Sequence, residues 1–190
     1  CFYTDPVLTF EENATQADLN IYMDYETDVA IGTWQFVLYL PDGIAPIYDE
    51  DEEEWLGEVS TETNAKRLAK GGLNITKKTD GGYIVLGFDT KGLQEMVSTK
   101  GLLCKIVLSG SSSITGQGKI TGTAVADLNS NSLDQGKFDD FLFTINGGDS
   151  EGINDIQAAD TTAPAYNLQG IRVNNAKGLI IRDGKKSIVK

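Results

Sequence analysis

The sequence predicts an all-β fold, an antiparallel β-sandwich of jelly-roll type, and three observations carry that prediction. Apolar residues recur with period two rather than 3.6. Clusters of Gly, Pro, Asn and Asp separate the alternating runs. Helical patterning is confined to two short connectors, within 63–69 and 92–97. Short strands with turn signals between them are the signature of a sandwich or barrel.

The first clear strand has Leu19, Ile21, Met23 and Tyr25 alternating with Asn20, Tyr22, Asp24 and Glu26. The second sets Trp34, Phe36, Leu38 and Leu40 against Gln35, Val37 and Tyr39, and ends at the turn Pro41-Asp42-Gly43. Proline fixes φ there and glycine frees it. Later strands fall at Tyr83–Phe88, Leu102–Ser109, Lys119–Val125 and Phe141–Ile145, with glycine-rich breaks at 71–72, 81–82, 110 and 116–118. Alternation along the Leu102 strand places Leu102, Cys104, Ile106 and Leu108 on one face. After Ile145 the composition shifts. Residues 148–164 read as a linker, and 165–190 as a small C-terminal β-hairpin turning at Asp183-Gly184. The sandwich accordingly spans 1–147. A lone hairpin is marginal in water, so the tail needs a surface to pack on.

Two segments resemble known families. Trp34-Gln35-Phe36-Val37-Leu38-Tyr39-Leu40-Pro41-Asp42-Gly43-Ile44 resembles the aromatic strand and Leu-Pro-acid-Gly turn of bacterial cohesin-like domains. Gly82–Phe88, Gly101–Leu108 and Asp140–Ile145 match later core strands of the same family. In the tail, Ala165–Val173, Lys177–Ile181 and Gly184-Lys185-Lys186 resemble the sorting-type segments of type IX-like secretion, with Ile180 where that family carries an aromatic residue. The resemblance implies a cohesin-like sandwich outside the cytoplasm, secreted or on the outer cell surface. It implies a protein-docking or adhesion module without enzymatic activity. Two alternatives stay open: a carbohydrate-binding module of a polysaccharide-utilisation system, and a weak glycan-acting enzyme. The partner is then an extracellular protein or a glycan.

Charge narrows the partner class. The chain of 190 residues has a formal net charge of −12. Residues 1–62 hold 16 Asp/Glu and no Lys or Arg, whereas 165–190 hold six Lys/Arg and one acid, Asp183. An acidic body repels phosphate backbones, so nucleic acid is excluded as a partner. The basic tail fits either an anionic surface or the acidic body. No run of 18 apolar residues is present, so no helical membrane span is expected.

Catalytic chemistry finds few carriers. The absence of histidine excludes Ser-His and Cys-His nucleophiles. Zinc would rest on two cysteines and carboxylates. No GxxxxGKS/T phosphate loop occurs. No catalytic residue is assigned. Cys104 reads as a buried, inert thiol. Cys1 reads either as a lipid-bearing first residue or as an ordinary chain start, and a Cys1–Cys104 disulfide requires a geometry that spacing does not give.

Two loops are candidate binding elements. The run Asp49-Glu50-Asp51-Glu52-Glu53-Glu54 precedes Trp55. Its two readings are a calcium-responsive or partner-docking loop, with Tyr48, Asp49, Asp51 and Trp55 as contacts, and a solvated acidic loop. Asp127, Asn129 and Asn131 occupy the first three oxygen positions of a calcium loop. The sixth position is Ser132 and the twelfth Phe138, so it is no EF-type loop, and an Asn/Asp-rich turn is the competing reading. No other cofactor is expected. Tyr22 and Tyr39 on the polar phases of their strands are either sugar platforms or ordinary cross-strand pairs. Asn13-Ala14-Thr15 and Asn74-Ile75-Thr76 fit the glycosylation triplet, without meaning in a bacterial protein.

Overall fold

The structure of the chain is a computed structural model. It describes residues 1–66, 73–88, 94–133 and 138–147, and the backbone of four strands between 165 and 189. The chain divides into two compact units, Cys1–Ser150 and Glu151–Lys190.

Among the described residues, the named elements are strands. The first unit contains β1 (Phe2–Tyr3), β2 (Val7–Leu8), β3 (Gln16–Asp24), β4 (Ile31–Tyr39), β5 (Ala45–Pro46), β6 (Tyr48–Asp49) and β7 (Glu54–Trp55). It continues with β8 (Gly57–Val59), β9 (Asn74–Lys77), β10 (Tyr83–Gly87), β11 (Lys100–Ser109), β12 (Gly116–Asp127), β13 (Ser132–Leu133) and β14 (Phe141–Ile145). The two connector helices expected within 63–69 and 92–97 fall partly on residues outside those described.

Two sheets make the sandwich. The smaller runs β1-β3-β11-β5, with β8 also on β11; the larger runs β2-β14-β12-β4-β10-β9, with β13 on β12. Pairing is antiparallel except between β2 and β14. The alternation seen in the sequence sets which face is interior. From β3, Leu19, Ile21 and Met23 are buried; from β4, Trp34, Phe36 and Leu38 are buried. They meet in one shared core, where the Phe2 ring packs edge-on to Trp34 and Phe36 at 6.5 and 6.0 Å. Each such fully buried large side chain contributes about 1.5–3 kcal/mol of transfer free energy.

One expectation needs correction. Leu102 does not share the inner face of β11 with Cys104. The register slips between them, pairing Leu102 with Tyr22 and Cys104 with Ile21, so Leu103 is an extra residue. That β-bulge sends Leu103 inward to full burial beside Cys104, while Leu102 is half-buried.

The second unit is a four-stranded antiparallel sheet. Its strands are β15 (Ala165–Tyr166), β16 (Arg172–Val173), β17 (Gly178–Arg182) and β18 (Lys185–Val189), in the order β16-β15-β17-β18. β17 and β18 pair antiparallel, ending at Arg182 with Lys185, and β15 adds on the β17 side; the turn expected at Asp183-Gly184 lies outside the described residues.

Candidate functional site

The larger sheet, with seven strands, presents a regular outer face. Its composition follows from register. Because Trp34, Phe36, Leu38, Tyr83 and Val85 point into the core, the intervening residues of β4 and β10 point out. Ile84 stands opposite both Thr76 and Val37, and Val37 opposite Thr121. The next row runs Asn74, Leu86, Gln35, Ala124. Val37, Ile84, Leu86 and Ala124 are all half-buried, so the centre of this face is apolar. Strand patterning alone predicts polar residues there. The signal was present in the unbroken apolar run Tyr83-Ile84-Val85-Leu86, which marks a strand with both faces apolar.

One end of the face is basic and aromatic. Lys119 pairs across β12 with Tyr39 and, on the other side, with Leu142. The Lys78 and Lys119 ammonium groups lie 5.5 and 5.4 Å from the Tyr39 ring centre. Lys78 Nζ also donates to Tyr39 Oη at 3.1 Å and to Asp80 at 2.7 Å. The Tyr39 hydroxyl donates to Asp80 at 3.0 Å. Together with the Gly82 N–H, these partners hold the Asp80 carboxyl down to about 2. The ring rests over Gly82, where a Cβ would stand 2.9 Å from Tyr39 Cε1. Tyr39 is therefore engaged by two cations rather than standing free as a stacking platform, and Tyr22 stacks on Tyr3 at 5.5 Å.

The acidic run forms its own ribbon away from these rows. β6 and β7 pair Tyr48 with Trp55 and Asp49 with Glu54, and the two rings meet edge-on at 5.1 Å. Asp49 Oδ1 accepts the N–H groups of Asp51 and Glu52, closing the turn. Glu53 completes it at φ 54°. Trp55 packs against the core, whereas Tyr48 is 43% exposed. The ribbon is tied down by Leu56 N–H to Ile47 O and by Ile47 N–H to Val107 O.

Asp127 organises its own turn. Oδ1 accepts the N–H groups of Asn129 and Asn131, both at 2.8 Å, and Oδ2 accepts Asn131 Nδ2 at 2.9 Å. These bonds lower its pKa. Ser130 supplies the left-handed φ of 64° that the turn requires. Among the described residues, no three His, Cys, Asp or Glu side chains converge as a metal site. Cys1 and Cys104 are both free; Cys104 is buried, and burial pushes its thiol far up from the usual range.

No family model and no curated protein matches the chain. Its fold is similar to that of solved cohesin modules. The sixth cohesin of scaffoldin B from Acetivibrio cellulolyticus, solved with a Cel5 dockerin mutant, aligns at TM-score 0.54 and 16% identity, over 76% of this chain and 96% of that one. The cohesin module of a family 33 glycoside hydrolase from Clostridium perfringens aligns at 0.50 and 11%, over 77% and 94%. CaCohA2 from Clostridium acetobutylicum aligns at 0.50 and 14%, over 78% and 92%. These likenesses establish a cohesin-like β-sandwich.

Proposed function

We propose that the first unit is a non-catalytic protein-docking module, and that the outer face of its larger sheet is the docking surface. The observation that carries this is the apolar row Ile84–Val37, flanked by Leu86 and Ala124, in the middle of a wide regular face. Apolar surface so placed is stabilised when a partner removes it from water. The Tyr39–Lys78–Lys119 cluster at one end supplies the polar rim that fixes orientation. The fold supports the reading, since the Acetivibrio cohesin it resembles was solved with a dockerin bound. A non-catalytic role agrees with the chain's lack of histidine and with a buried, weakly acidic Cys104 thiol. An extracytoplasmic setting belongs to the same proposal and rests on the likeness of the tail to sorting segments.

The test is a binding screen of the full chain against a panel of purified dockerin modules by biolayer interferometry. At least one should bind with Kd below about 1 μM. Val37→Glu, which places a charge in the middle of the row, should weaken that binding by about a hundredfold, equivalent to ~2.7 kcal/mol, with the melting temperature unchanged. No binding across the panel, or equal binding by Val37→Glu, would overturn the reading.

A further inference from the structure

β12 carries one residue more than the stretch of β4 it pairs with. Thr121 stands opposite Val37 and Ala124 opposite Gln35, so three steps on one strand match two on the other. Gly122 absorbs the extra residue at φ +55°, a left-handed conformation that glycine adopts without steric cost. The bulge turns Thr123 inward and opens a depression of about 590 Å3 beside the apolar rows. Its walls are Gln35, Thr121, Thr123, Ala124, Phe138 and Asp140. That volume is in the range of about 300–1,000 Å3 usual for small-molecule sites.

The polar groups of this depression are under-used. Thr123 is only 6% exposed, and its hydroxyl has no hydrogen-bond partner among the described residues. Lining an open depression, this hydroxyl can be met by water, and a ligand that reproduces its hydrogen bond can displace that water. The Gln35 side-chain amide, on the opposite strand, is likewise without a partner among the described residues. Between them they offer donors and acceptors in both senses. Among the described residues of the lining, Asp140 is the one charged group, and it is already matched: it accepts from the Thr121 hydroxyl and faces Lys119 Nζ at 3.6 Å. A cation entering here would meet the Lys119 ammonium, and an anion would meet the carboxylate. Phe138 adds an apolar ring, held in place by Phe2 at 6.1 Å and Tyr25 at 5.4 Å. A neutral molecule with several hydroxyls and a hydrophobic C–H face satisfies all of these groups.

We propose that the β12 bulge forms a subsite for a neutral sugar ring, a single hexose or pentose unit. Thr123 and Gln35 hydrogen-bond its hydroxyls, Asp140 accepts from a further hydroxyl, and Phe138 covers its C–H face. This site goes beyond the docking reading and does not depend on it, because sugar binding is read without any protein partner.

The test is a titration of the 15N-labelled full chain with glucose, galactose, mannose and xylose, each to about 100 mM, followed by amide chemical shifts. The expected result is saturable movement of the Gln35, Gly122, Thr123 and Ala124 amides with at least one sugar, at a Kd of about 1–10 mM. Thr123→Val keeps the shape and removes the hydroxyl, and should weaken binding by about tenfold or more. Gln35→Ala, a half-buried position on the outer face, provides a second variant should Thr123→Val fold poorly, and should weaken binding similarly. Glucosamine and gluconate, the charged counterparts, should bind more weakly than glucose. No saturable shift with any of the four sugars, or undiminished binding in the folded variants, would overturn the proposal.

Discussion

The Trp34 indole N–H donates to Asn64 Oδ1 at 2.7 Å, and both side chains are buried. The two Asn64 amide hydrogens are shared among three acceptors, each 2.9 Å from the nitrogen: the Ser60 carbonyl, the Thr63 hydroxyl and the Leu103 carbonyl. One side chain thus joins β4 of the larger sheet to β11 of the smaller one, at the bulged residue Leu103.

Asn64→Ala should lower the free energy of unfolding by about 3 kcal/mol, because it strands the indole and carbonyl groups in a buried setting. Urea denaturation followed by near-UV circular dichroism measures it. A loss below about 1 kcal/mol would mean that water replaces the amide and that the network does not brace the two sheets.

Gly87 lies against the face of the same indole. A Cβ at that position would stand 2.2 Å from Trp34 Cε2. Gly87→Ala should therefore push Trp34 off its packing and cost about 3 kcal/mol, with a shift in tryptophan emission. A variant as stable as the parent would show that β10 can move away from β4 at little cost.

Much of this architecture was legible in the sequence, and the residues show why. Leu19, Ile21 and Met23, like Trp34, Phe36 and Leu38, alternate strictly, so their inward direction follows from strand geometry alone. The bulges were not legible. Nothing local marks Leu103 rather than Leu102 as the residue that turns inward, because both are leucine and the slip is set by pairing with Tyr22 and Ile21 on a distant strand. The apolar outer face is not legible for a related reason. Alternation puts Val37 and Tyr39 on the outward phase of one strand, and only the register brings Val37 beside Ile84 and Tyr39 beside Lys119. The acidic run was conspicuous in sequence, yet its hydrogen bonds close a local turn rather than gather its carboxylates.

That run should make the protein salt-dependent. Six successive carboxylates occupy residues 49–54, and no Lys or Arg precedes Lys66 in the chain. Their mutual repulsion weakens as the screening length shortens from about 30 Å at 0.01 M to about 8 Å at 0.15 M. Differential scanning calorimetry should show the melting temperature rising by about 2–4 °C over that range. Calcium chloride at matched ionic strength should give the same rise. A markedly larger shift with calcium would reveal a specific ion site in the ribbon and refute the solvated-loop reading.

The Asp80 carboxyl reports on the basic, aromatic end of the larger sheet's outer face. Its pKa is held down to about 2 from 3.8, first by the Lys78 ammonium, then by the Gly82 N–H and, more weakly, by the Tyr39 hydroxyl. A carboxyl depressed in the folded state adds stability that is complete above its unfolded value and fades as pH falls through the folded one. The window is therefore from just above 3.8 down to about 2. Asp80 is exposed and Lys78 only half-buried, so the readout is the titration of Asp80 itself by 13C NMR rather than global stability. Lys78→Met removes the ammonium and should return Asp80 most of the way toward 3.8, while freeing the Tyr39 ring from one of its two cations. Tyr39→Phe, which keeps the ring and the Lys78 contact, should raise Asp80 only slightly. If Lys78→Met left Asp80 near 2, the Gly82 N–H alone would be holding it, and the lysine would be free to meet a partner instead.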